Sequence, residues 1–167
     1  MTPEALRQLQ APFKQKYGDD PTSALLTLRA TGNLEIDRVA CRLRDAPQPF
    51  VSGLHPAAGG DGTFVCAAEM MLESLVGCAG VTLSAVATAM SLPVQGGTIT
   101  AEGDIDFRGT LGVDRSTPIG FIAIRLLFDL DTTATPAQIE KLISLTERYC
   151  VVAQTLKTPP TFTARPV

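Results

Sequence analysis

The chain has no tryptophan, a single histidine (His55) and only two tyrosines among its 167 residues. One histidine leaves no Ser–His–Asp set to assemble and removes the commonest ligand of transition-metal sites. The four cysteines, Cys41, Cys66, Cys78 and Cys150, form no CxxC pair, which argues against a thioredoxin-type motif or a zinc ribbon. Neither a metal nor a cofactor is therefore expected. The glycine-rich run Gly59-Gly60-Asp61-Gly62 is followed by no lysine and matches neither nucleotide-binding spacing. Charge is also scarce, at 19% of residues, with a net value of −3 and no basic cluster, so the electrostatic footprint of a nucleic-acid binder is missing. The opening MTPEALRQLQ has neither the charged nor the apolar segment of a signal peptide. These absences together point to a cytoplasmic protein whose cysteines are kept as thiols and whose disulfides, if formed, are transient or catalytic.

What the chain does have is apolar residues, 45% of the total. Its length suits one domain, here residues 21–167, preceded by a helical arm over residues 1–20. The arm carries Pro3 at a first helical position and Leu6, Leu9 and Phe13 at helical spacing. It could pack on its own domain or dock on a partner subunit.

The centre of the sequence is Cys66 to Met90, nearly free of charge after Glu73, which reads as one long buried helix. At about 100° per residue, Met71, Ser74, Cys78, Thr82, Ala85 and Ala89 form one stripe of mostly small residues, a face that something approaches closely. The uncharged part is shorter than the roughly 20 strongly apolar residues a bilayer span needs, and it is dotted with Gly, Ser and Thr. No membrane partner is expected.

Before this helix, Ala24–Ala30 and Leu34–Leu43 read as a hairpin turning at Thr31-Gly32-Asn33, with a short strand near Phe50–Leu54. His55 to Thr63 is an irregular loop in which His55 reads as an anchoring residue. After the helix, alternation at Ile99, Ala101, Ile105 and Phe107, and again from Ile122 to Leu130, marks two half-buried strands. Thr135-Pro136-Ala137-Gln138 is a capping box. It opens a second helix that runs to Leu156 with Tyr149 and Cys150 on its inner stripe, and a short last strand follows at Thr161–Ala164. The class is α+β, with helices covering one face of antiparallel sheets. Spacing alone leaves Cys78 and Cys150 open to two readings, buried core thiols or a redox pair.

Two motifs carry a resemblance. The run Glu69-Met70-Met71-Leu72-Glu73-Ser74-Leu75-Val76-Gly77-Cys78 resembles the central-helix signature of the OsmC / organic hydroperoxide resistance family. Leu145 to Val152, LTERYCVV, resembles that family's second cysteine motif, and Asp104 to Asp114, DIDFRGTLGVD, is similar to the segment between them. The likeness spans about residues 24 to 164.

It implies an OsmC-like fold in an intertwined homodimer, and a thiol-dependent peroxidase. Cys78 would attack an organic hydroperoxide and become a sulfenic acid. Cys150 would resolve it as a disulfide, and a dithiol reductant would reopen the pair. Met71, Ser74, Thr82, Tyr149 and Arg42 would line the substrate pocket. The positions of the family's activating Arg and Glu fall on Leu34 and Ala68, and that of the proline after the second cysteine on Val151. The needed cation is then expected from Arg29, Arg38 or Arg42. The alternative is a non-enzymatic dimer of the same fold that binds a small apolar ligand or senses oxidants.

Overall fold

The computed structural model describes residues 3–36, 40–42, 52–156 and 160–166. Its elements in chain order are α1 (Pro3–Asp19), β1 (Leu25–Glu35), β2 (Ala40–Arg42), β3 (Ser52–Gly53), β4 (Val65–Cys66), α2 (Ala67–Ala89), β5 (Val94–Asp106), α3 (Phe107–Thr110), β6 (Phe121–Thr132), α4 (Pro136–Tyr149), α5 (Val151–Thr155) and β7 (Thr161–Pro166). Five strands make one sheet in the order β2-β1-β5-β6-β7, antiparallel except for the β6–β7 pair, while β3 and β4 form a separate parallel pair.

Residue alternation decides the faces of the sheet. Ile99, Ala101 and Ile105 of β5 and Ile124, Leu126, Phe128 and Leu130 of β6 are buried and point inward. Their neighbours Glu102, Asp104 and Arg125 point outward, where Arg125 pairs with Asp104 at 2.6 Å and Arg29 pairs with Glu102. Helix α2 lies on the inward face against β1, β2 and β5, with α4 and α5 beside it. Its Leu72, Leu75, Val76, Ala79, Leu83 and Ala87 are fully or almost fully buried. By length and composition α2 could cross a bilayer, but this face is seated on the protein's own core. The last strand is fixed by Phe162, which stacks on Phe128 with ring centroids 5.6 Å apart.

Three features depart from the sequence reading. The hairpin does not turn at Thr31-Gly32-Asn33: β1 runs straight through these residues, which pair with Thr100, Ile99 and Thr98 of β5. A long continuous partner outweighs a local turn signal. Next, Ile122 is not on the inward stripe. A register shift between Asp104 and Ile105 leaves it 47% exposed. Phe121 takes the inward place, packed so closely over Gly103 that a Cβ there would meet the ring at 2.4 Å. Finally, the second helix stops at Tyr149 rather than Leu156, and Cys150 is the non-helical residue between α4 and α5.

The arm packs on its own chain. Tyr17 of α1 is buried, its hydroxyl donates to the carbonyl of Ala57 at 2.6 Å, and Phe13 leans on the core. The capping box of α4 forms as its sequence dictates, with Gln138 N–H donating to Thr135 Oγ1 at 3.4 Å and Thr135 N–H to Gln138 Oε1 at 2.9 Å.

Candidate functional site

The approach to α2 is built by the irregular loop. His55 caps the short 3₁₀ turn Pro56–Ala58, its Nδ1 accepting the Ala57 N–H at 3.0 Å, and its ring stacks on Phe107 at 5.1 Å. These contacts make His55 the loop anchor that its isolation suggested. At the start of α2, Cys66 is the N-cap, and its N–H donates to Glu69 Oε2 at 3.0 Å. The nearest acidic residue to the family's glutamate position is thus engaged at the helix start, away from Cys78 farther along the helix. Ala68, at that position, is half-buried and carries no charge.

Cys78 sits mid-helix, half-buried. Opposite it, at the break between α4 and α5, Cys150 is 0% exposed. The two thiols are near enough for Cys78 to influence the titration of Cys150. Among the described residues Cys66, Cys78 and Cys150 are all free thiols. Burial pushes the Cys150 thiol up to about 11, and the adjacent Cys78 adds to the rise, while the Ala153 and Val152 amides act in the opposite direction.

This shift has a stability consequence. A folded-state value above that of the unfolded thiol favours the folded state fully at neutral pH. The advantage is lost as pH rises from about 9 to about 11. The stability gap between wild type and Cys150→Ala, measured by urea unfolding, should therefore shrink by about 2 kcal/mol over that window. A gap that stays constant would contradict the assignment. The comparison removes Tyr17, whose hydroxyl burial also raises, from the difference.

Charges near the thiols differ from expectation. Arg29 is on the outward face of the sheet, paired with Glu102, whereas α2 lies on the inward face. It is not a cation for Cys78. Leu34, at the family's arginine position, is a core residue at 9% exposure. Arg38 and the side chain of Arg42 lie outside the described residues. Arg42 is on β2, one of the strands that lie against α2, and its backbone pairs with Asn33 of β1.

Of the pocket residues read from the sequence, Met71, Ser74 and Thr82 share the Cys78 face of α2, with Met71 and Thr82 half-buried and Ser74 exposed. Tyr149 is 56% exposed, with the Arg148 guanidinium 5.5 Å over its ring. The stripe continues through Val81, Ala85 and Ala89, all exposed. Within one chain, then, the small-residue face of α2 is open rather than buried, and Val151, at 71% exposure, lies beside Cys150 in sequence. A separate apolar groove of about 400 Å³ opens between α4 and β7, lined by Ile139, Ile143, Phe162 and Ala164 among others, and includes neither cysteine.

Sequence reasoning missed the helix break and the residue that spans it, Gln154, whose Nε2 donates to the Glu147 carbonyl at 3.0 Å. The available signal was faint: two consecutive β-branched residues, Val151 and Val152, where a helix loses side-chain freedom.

Comparison with known proteins agrees with this architecture. The chain is similar to an OsmC-like protein from Mycoplasma pneumoniae, at 14% identity over 86% of this chain and 95% of that one, with a TM-score of 0.60. It is also similar to an OsmC-like protein of unknown function from Vibrio cholerae O1 biovar eltor, at 14% identity over 84% and 98% of the two chains, with a TM-score of 0.58. These likenesses concern the fold. No curated protein matches the chain. The family model described as OsmC-like protein matches residues 60–165, which take in the α2 start, both cysteine helices and the sheet between them, and the chain belongs to that family.

Proposed function

We propose that this protein reduces organic hydroperoxides with the Cys78–Cys150 pair. The observation that supports the reading is the meeting of a reachable thiol on α2 with a fully buried one at the α4–α5 break. In the first step the Cys78 thiolate attacks the hydroperoxide, the O–O bond breaks, and an alkoxide leaves and takes a proton to become the alcohol. Cys78 is then a sulfenic acid. In the second step Cys150 attacks the Cys78 sulfur, water leaves and a disulfide forms. A dithiol reductant gives up two electrons and two protons to restore both thiols. Such a cycle suits a reducing, cytoplasmic setting.

The open stripe of α2 supports a further part of the proposal, a homodimer in which a second copy covers that face and encloses the thiols. Small side chains at Ser74, Cys78 and Ala85 allow the close approach such packing needs.

A second reading, a non-enzymatic dimer that binds a small apolar ligand, is favoured by the engagement of Arg29 with Glu102 and by the apolar groove between α4 and β7. Turnover separates the two. With excess dithiothreitol, the protein is expected to consume many equivalents of cumene hydroperoxide. No loss of peroxide beyond the dithiothreitol background would leave the ligand-binding reading standing.

A further inference from the structure

The short turn Pro56–Ala58 is the seat on which the arm helix α1 rests. His55 caps it, its Nδ1 accepting the Ala57 N–H at 3.0 Å. From the other side, the Tyr17 hydroxyl of α1 donates to the Ala57 carbonyl at 2.6 Å, and Gln10 Nε2 donates to the Ala58 carbonyl at 3.5 Å. Gly59 closes the turn at φ +95° and lets α1 come so near that a Cβ there would meet Leu9 at 2.9 Å. Ala57 therefore links the two sides: its N–H is held by His55 and its carbonyl holds Tyr17.

The cap depends on a bare nitrogen. Nδ1 accepts an N–H only while the ring is neutral and carries its proton on Nε2, because both nitrogens of an imidazolium are donors. Protonation of His55 and capping of the turn thus exclude each other. The stack on Phe107 tolerates either charge state, so the loss falls on the cap. We infer that this turn is an acid-sensitive latch: neutral His55 holds the seat of α1, and protonation of its Nδ1 loosens the arm while α2 stays on the sheet. His55 is the only histidine in the chain, and imidazole is the side chain whose ordinary titration falls between about pH 5 and 8. The turn packs against α1 and the β5–α3 junction, which bring Tyr17, Asp106 and Arg108 to it, and its own loop carries Asp61. Burial raises the Tyr17 hydroxyl, the Arg108 guanidinium lowers the Asp106 carboxyl and itself stays charged, and the Thr63 amide lowers Asp61. None of these changes charge in that range. The seat of α2 rests on apolar side chains, which do not respond to pH.

The test is amide hydrogen exchange on the full-length chain between pH 8 and 5, corrected for the intrinsic pH dependence of exchange. Protection of α1 should fall about fivefold toward pH 5, as expected for losing one cap, while protection of α2 and β5 stays constant. With a single histidine, one imidazole resonance reads the titration of His55 directly, and its midpoint should coincide with the midpoint of the α1 change. The nitrogen shifts of the neutral ring should place its proton on Nε2. His55→Asn keeps an acceptor at the N-cap position that does not titrate, so its α1 protection should not vary with pH. Constant α1 protection in wild type, a midpoint away from that of His55, or a neutral ring protonated on Nδ1 overturns the inference. A fall of the same size in His55→Asn, or one shared equally by α2 and β5, does the same. Should His55→Asn not fold, the coincidence of the two wild-type midpoints and the position of the ring proton still decide.

Discussion

Cys78→Ser is expected to lose hydroperoxide reduction altogether, and Cys150→Ser to stop after a single step. The contrast follows from exposure. Cys78 is the thiol a hydroperoxide can reach, whereas Cys150 is shielded from solvent and costly to ionise because burial disfavours its charged form. A serine hydroxyl is no nucleophile toward peroxide, so the first variant should fall by on the order of a hundredfold or more, to the background of free thiols. In the second variant Cys78 still reacts once, and the sulfenic acid then persists or advances to the irreversible sulfinic form. Intact-mass measurement after one and after ten equivalents of cumene hydroperoxide reads the difference. The expected masses for Cys150→Ser are one added oxygen and then two. Undiminished turnover with dithiothreitol in Cys150→Ser would show that external thiols resolve Cys78 and that the pairing is incidental.

Asp106→Ala should be the most damaging change outside the thiol site. Asp106 is buried, caps α3 through the Arg108 N–H at 3.0 Å, and grips the Arg108 guanidinium at 3.1 Å and 2.6 Å. Arg108 in turn reaches Asp114 at 3.7 Å, and Asp114 closes the next turn by accepting from Ser116. One carboxylate therefore shapes the crossing from β5 to β6. The same crossing places Phe107 under His55, which caps the loop before α2. Removing the carboxylate leaves a partly buried cation and an uncapped helix. The cost should be about 2–3 kcal/mol, or a fall of about 5–10 °C in melting temperature. The Arg108 guanidinium holds the Asp106 carboxyl below the usual carboxylate range. Its contribution is therefore present above the unfolded value near 3.9 and is lost as pH falls through the folded one. Wild type and variant should converge in strongly acidic solution. Equal melting temperatures at pH 7 would refute the role.

The parts of this fold that could be read in the sequence are those with a strong local period. The span of α2 was legible because its apolar run is long and uninterrupted, and the start of α4 because Thr135-Pro136 and Gln138 form a cap that acts on its own backbone. β5 and β6 showed alternation because one face is buried and the other is wet. The hairpin turn was misplaced because Thr31-Gly32-Asn33 carries a turn composition that pairing with β5 overrides, and no window around those residues contains β5. Ile122 was put inward because a bulge shifts the phase of alternation without changing the residue types. At the site, the two cysteine motifs were visible as motifs, whereas the stop of α4 at Tyr149 was not. No proline or glycine announces that stop.

The most direct test of the two-thiol account is peptide mapping after one equivalent of cumene hydroperoxide, without reductant, on protein retaining all four cysteines. The account predicts a disulfide between the peptides carrying Cys78 and Cys150, reopened by dithiothreitol. A bridge involving Cys41 or Cys66, or four intact thiols with the peroxide unconsumed, would contradict it.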